Sequence, residues 1–115
     1  MTRQQEWAKH AHARVVRHRD QSDEKRYSTL CMKAPSLIRQ AGLIQAVAFL
    51  RTRDAEGLAF VDDLATGLGL TGGQTLQDNA HRADLPQYMA LSRNVSALAV
   101  WFRRFAQAEL QQDEG

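Results

Sequence analysis

Residues 34–53 read APSLIRQAGLIQAVAFLRTR, and within them residues 43–50, LIQAVAFL, hold a single polar side chain, Gln45. A surface helix shows one apolar stripe, so a run apolar on every side predicts a helix enclosed by its neighbours all round. Phe49 is then expected at the centre of the domain, fully buried. Gly42 stands where a helix running through Pro35 can end in a left-handed residue or bend sharply. Arg51 and Arg53 close the run with positive charge at a helix C-terminus, where the helix dipole favours it. The pattern predicts a central helical hairpin in an all-α protein.

Upstream, Thr2 is placed to cap a first helix extending to about residue 19. Trp7, Ala8, Ala11, Val15 and His18 share one face of it. Beside them Arg3, His10, Arg14 and Arg17 form a second stripe with few acids on its own face. That stripe is either a solvated basic face or a surface for phosphates. Residues 20–23 are a polar break, with Ser22 or Asp23 as the next cap. A second helix turns Tyr27, Leu30, Cys31, Ala34, Leu37, Ile38 and Ala41 inward, while Lys25, Arg26, Lys33 and Arg39 extend the basic surface. Pro35 either kinks this helix or begins a new one. Tyr27 is a core residue with its hydroxyl at the rim, or a ring on which a base stacks.

Downstream, residues 54–57 read as a turn, followed by an apolar pattern of Leu58, Val61, Leu64, Ala65 and Leu68. Asp62 and Asp63 are expected to be solvated, because no further oxygen ligands for a cation are evident. Gly67 and Gly69 fray that helix. Gly72 and Gly73 form a loop without the Lys and Ser/Thr that a phosphate-binding loop needs. Residues 74–84 are polar and weakly helical. Pro86 starts a last helical region, with Ser92 a possible internal cap before residues 93–111. Leu91, Val95, Leu98, Ala99, Phe102, Phe105 and Ala106 make its broad core face. Trp101 falls off that face, near Arg93 and Arg104, and either covers the core edge or anchors a protein partner. The expected fold is an all-α, compact single-domain bundle of about five to six helices over residues 1–115.

The chain of 115 residues, 43% hydrophobic and 24% charged, suits one globular domain with one modest core. No apolar run approaches the roughly 18–20 residues of a membrane span, and the first ten residues lack the apolar segment of a secretory signal. Cys31, the sole cysteine, reads as a small buried apolar residue and suits a reducing cytoplasm. The net charge of +2 hides an asymmetry. Residues 1–53 carry eleven Lys and Arg against four Asp and Glu, a balance of +7, and residues 54–115 carry four against nine, a balance of −5. Such halves suggest a polyanion on one side and head-to-tail or other protein contacts on the other. No catalytic or metal-binding constellation is evident. His10 and His12 point to different sides of a helix, and His18 lies too far along it to share a metal with His10. Ser22, Ser28, Ser36 and Cys31 lack a recognisable base. No cofactor, metal or enzymatic activity is expected.

Lys25-Arg26-Tyr27, then Lys33-Ala34-Pro35-Ser36-Leu37-Ile38, then Gly42-Leu43 with Phe49 six residues on, resemble one family in their order and spacing. It is the small subunit of the Cmr (type III-B) CRISPR effector complex. That family shows a basic-Tyr pair, a Lys-x-Pro-x-Leu-Ile step and an Asn-Gly-Leu-x-x-x-x-x-Phe hairpin; here Ala41 replaces the Asn, which touches only a turn residue. Tyr88 and the run LAVWFRRFA, residues 98–106, are similar to the family's last helix, while residues 54–84 are unmatched in detail. The resemblance implies an all-α antiviral-defence subunit without enzymatic activity. Its copies stack along the inner side of the effector, opposite subunits that hold the guide RNA. Target RNA passes between the rows and is cut by other subunits. On that reading Arg14, Arg17, Lys25, Arg26, Lys33 and Arg39 face RNA, and Trp101, Arg93 and Arg104 face other Cmr subunits or further copies of the chain. The alternative is a free-standing helical nucleic-acid-binding or regulatory protein. A recognition helix, however, needs polar residues on its groove-facing side, and residues 43–50 have almost none.

Overall fold

Six helices make up residues 1–112, the part of the chain that the computed structural model describes. They are α1 (Arg3–Val16), α2 (Glu24–Ala41), α3 (Leu43–Arg51), α4 (Asp54–Gly67), α5 (Gly73–Arg82) and α6 (Leu85–Glu109). No strand occurs among the described residues, as expected for an all-α chain. The long α6 packs mainly on α2 and α1; α3, α4 and α5 pack on one another, and α4 also reaches α1, α2 and α6. The buried side chains of all six helices form one continuous core.

Local chemistry sets most boundaries. The Thr2 hydroxyl accepts the backbone N–H of Gln5 at 3.1 Å, and the Gln5 side chain accepts that of Thr2 at 2.8 Å. Asp84 and Gln87 repeat this reciprocal arrangement at the start of α6. Each box satisfies two donors that the first turn leaves without helical partners. Helix α6 then runs through Ser92 without a break, and α1 stops at Val16, short of residue 19. Asp23 occupies the N-cap position of α2 but does not cap it; its carboxylate meets His18 Nδ1 at 2.9 Å instead. Helix α2 continues through Pro35. It ends at Gly42, whose φ of +86° is open to glycine and strained for other residues. The Tyr88 hydroxyl, arriving from α6, accepts the Ile44 N–H at 3.2 Å and serves one orphan donor of α3.

The central run is not enclosed all round. Leu43, Ala46, Val47 and Leu50 are buried, whereas Gln45, Ala48 and Phe49 face solvent. Phe49 is 41% exposed, with the Arg53 guanidinium over its ring at 4.8 Å. The nine-residue α3 is covered on one side by α2, α4 and α5 and, among the described residues, has no helix on the other. The core place expected of Phe49 belongs to Phe60, which is fully buried. Its ring meets those of Tyr27 and Phe102 edge to face, at 5.8 and 5.5 Å.

Phe60 reaches that place because residues 54–57, expected as a turn, are the first turn of α4. The buried face of α4 therefore includes Gly57, Phe60, Val61, Leu64 and Ala65, and Leu58, expected inside, is 46% exposed. Gly57 lets α4 approach α3: a Cβ there would run into the backbone carbonyl of Leu50. Helix propensity favours alanine over glycine by about 1 kcal/mol, yet a backbone carbonyl cannot rotate away as a side chain can. Gly57→Ala is expected to lower stability by a net amount on the order of 1 kcal/mol or more. The urea midpoint reads it, and an unchanged or raised midpoint would mean that the crossing is looser than described.

Asp62 and Asp63 part company. Adjacent residues of a helix point roughly 100° apart, and here one goes outward and one inward. Asp62 accepts the Gly73 N–H at 2.6 Å and so steadies the start of α5. Asp63 is buried, correcting the solvated pair. Its Oδ2 accepts the Tyr27 hydroxyl at 2.6 Å and its Oδ1 accepts Arg14 Nη1 at 3.3 Å. His10 Nε2 lies 2.8 Å from the Asp63 carbonyl oxygen; a carbonyl only accepts, so this nitrogen carries the proton. His18 stacks flat on the Tyr27 ring at 3.6 Å. The Tyr27 hydroxyl thus lies inside this network and not at the rim.

Candidate nucleic-acid interface

Eleven Lys and Arg side chains lie within the first 53 residues, on or just beyond α1, α2 and α3, and the fold divides them by what they meet. Arg14 is half-buried and tied to Asp63. Arg26 donates from Nε to Glu56 Oε1 at 2.8 Å, in a pair whose Arg26 side is exposed and whose Glu56 side is buried. The hydrogen bond from Arg26 and its charge hold the Glu56 carboxyl below the usual range, and Glu56 in turn raises the Arg26 guanidinium. Arg19, together with His12, engages Glu109 near the end of α6. Arg51 donates to Gln74 and Gln77 of α5. By contrast, Arg17, Lys25, Lys33 and Arg39 are exposed, and among the described residues none of the four holds an ion pair.

Two turns apart on α2, Arg26 and Lys33 face one open cleft of roughly 330 Å³. Its opposite wall is the joint between α3 and α4, with Thr52, Arg53, Asp54 and Glu56. Lys25 borders a neighbouring hollow with Gln21, Ser22 and Gln111. The start of α2 is fixed there by buried Glu24, whose two oxygens accept the backbone N–H groups of Asp20 and Gln111. Arg39 lies elsewhere, in a groove floored by Pro35, Ile38, Leu43 and Val100, and Arg93 lines the same groove. These two arginines, assigned to different partners from the sequence, are therefore neighbours. Arg17 lies just past the end of α1 and lines none of these hollows.

Trp101 covers the edge of the core. Its ring stacks on Phe105 at 5.9 Å, its Nε1–H donates to the Gln4 side chain at 2.8 Å, and the Arg104 guanidinium lies 5.2 Å from its centre. Phe49 and Arg53 stand at this surface, with the Arg53 guanidinium over the ring, but are not among the residues expected to form it. Leu43, Ala46, Val47 and Leu50 already fill an i, i+3, i+4, i+7 face, and that spacing leaves Phe49 outside.

The chemistry this surface offers is charge and one flat ring. Burial pushes the Cys31 thiol well up, which keeps it from being a nucleophile. Among the described residues no three His, Cys, Asp or Glu side chains are grouped to hold a metal ion, and no helix is long and apolar enough to cross a membrane.

Comparison with known proteins agrees with this architecture. The family model described as CRISPR-associated protein (Cas_Cmr5) matches residues 3–109. A relative from Thermus thermophilus, the CRISPR system Cmr subunit Cmr5, is 41% identical over 112 residues, which span 96% of this chain and 98% of the relative. The crystal structure of a CRISPR-associated Cmr5 family protein from the same organism superposes with a TM-score of 0.94 at 40% identity, covering 96% of this chain and all of the other. The chain belongs to the Cmr5 family of CRISPR-associated proteins.

Proposed function

We propose that this chain is the non-catalytic small subunit of a type III-B Cmr effector in the cytoplasm, where stacked copies line the channel of the guide-paired target RNA. The observation that carries this reading is the set of exposed cations Arg17, Lys25, Lys33 and Arg39 on or beside α1 and α2, without an ion pair among the described residues. Phosphates are their natural partners, because cations on a nucleic-acid surface release condensed counterions on binding. Arg14 and Arg26 belong to the same surface but already hold carboxylates, so they shape its base and add less free charge. Contact with the backbone alone carries no sequence information, which suits a complex whose guide strand selects the target by base pairing. Trp101, Arg93 and Arg104 serve contacts with other Cmr subunits and further copies of the chain.

The test is target-RNA affinity of the assembled complex at several salt concentrations, with and without Arg17→Ala and Lys33→Ala together. Each phosphate contact on a single strand contributes about −0.7 to the slope of log affinity against log salt. The double change is expected to weaken all target sequences alike and to flatten the slope by about one to two units. Unaltered affinity and slope would return these residues to a solvated surface.

A further inference from the structure

The cleft between α2 and the α3–α4 joint does not stand alone: Arg53 joins it to an exposed aromatic ring. Arg53 lines the cleft, and its guanidinium lies over Phe49 at 4.8 Å from the ring centre. A single exposed apolar side chain is ordinary on a protein surface, and exposure of Phe49 alone would carry nothing. Here the ring stands beside a concave, cation-lined surface, linked to it by Arg53. The Thr52 hydroxyl donates to the Phe49 carbonyl at 2.7 Å and fixes the end of α3 that presents it. Of the two acids in the cleft, Glu56 is occupied by Arg26. Asp54 is left against Lys33 and Arg53, so the remaining charge is positive. A volume of roughly 330 Å³ lies at the small end of ligand pockets, the scale of one nucleotide and not of a duplex.

We infer that this cleft holds one unpaired nucleotide of a single-stranded RNA, with Lys33 and Arg53 at its phosphate and Phe49 stacking its base. A flat ring beside cations is the combination that binds single strands without sequence choice, because every base offers a face. The inference rests on the RNA-lining function proposed above and adds to it a contact with the base where that reading needs only the backbone.

The experiment measures binding of a short single-stranded oligoadenylate, and of an abasic oligomer of equal length, by the full chain and by the assembled complex. Because Phe49 is outside the core, Phe49→Ala folds normally, as a melting curve verifies. It is expected to weaken oligoadenylate binding roughly fivefold to a hundredfold, to leave the salt slope unchanged and to leave abasic binding unchanged. Phe49→Trp retains the affinity. Lys33→Ala instead flattens the slope by about 0.7. If the chain binds RNA but Phe49→Ala changes neither oligomer, the stacking site is overturned and the RNA-lining function stands. If Phe49→Ala disrupts assembly of the complex without altering RNA affinity, the ring serves a protein neighbour and the inference is overturned. Absence of RNA binding by both chain and complex would overturn the inference together with the function beneath it.

Discussion

Replacing Phe60 with alanine is expected to lower the unfolding free energy by about 3–5 kcal/mol, the range for removing a buried aromatic ring. That is a large share of the roughly 5–15 kcal/mol that holds a typical domain together. The ring sits between those of Tyr27 and Phe102, so its loss leaves a cavity that rigid aromatic neighbours fill poorly. Phe49→Ala, at a ring that is 41% exposed, is expected to cost less than about 1 kcal/mol. Urea titrations of the two variants separate these outcomes, provided the slope of free energy against urea is unchanged. Equal losses would contradict the placement of α4, and a larger loss at Phe49 would restore the central run to the core.

Tyr27→Phe is the second large effect. It deletes one hydroxyl, which donates to the buried Asp63 carboxylate at 2.6 Å, and keeps the ring against His18 and Phe60. Hydrogen bonds to charged groups are worth about 1.5–3 kcal/mol. Burial holds the Asp63 carboxyl above its ordinary value of 3.8, while the Tyr27 hydroxyl and Arg14 pull it down in part. Between that ordinary value and the folded one, the folded chain binds more protons than the unfolded. The contribution of Asp63 to stability therefore rises as pH falls through the folded value towards 3.8. Without the hydroxyl the carboxyl rises further, so the variant gains more from protonation. The difference between wild type and Tyr27→Phe is expected to be widest at neutral pH and to narrow on acidification. A difference that stays constant with pH would mean that the hydroxyl does not serve an ionised carboxylate.

Much of the architecture is legible because its signals are local. Thr2 reads as the cap of α1 and Gly42 as the end of α2, where its freedom is needed, whereas Asp84, which caps α6 with Gln87, lies in a stretch read only as polar and weakly helical. The core face of α6 follows from Val95, Leu98, Ala99, Phe102 and Ala106, all buried. What escaped depends on which neighbour arrives. The apolar composition of residues 43–50 does not reveal that one side of α3 is left uncovered by the other described helices, and the spacing of Leu43, Ala46, Val47 and Leu50 carried that information. Gly57 reads as a turn residue until a second helix crosses it. Asp63 reads as a solvated acid until Tyr27 and Arg14 converge on it from two other helices.

The same principle governs the candidate site. Charge placed the basic surface in the first half of the chain. It did not distinguish Arg14 and Arg26, which meet carboxylates from α4, from Arg17, Lys25, Lys33 and Arg39, which meet none among the described residues. Arg53 and Phe49 joined the surface only when the α3–α4 joint closed a cleft against α2.

The central claim, that the α2–α3 side of this chain faces the target RNA inside the effector, is tested most directly by cross-linking. A target RNA carrying photoactivatable uridines is bound to the assembled complex, irradiated, and the cross-linked peptides of this chain are mapped. Cross-links are predicted in α2 and at the end of α3, within residues 24–53, and at Arg17. Cross-links confined to α5, or to other subunits with none on this chain, would contradict the account.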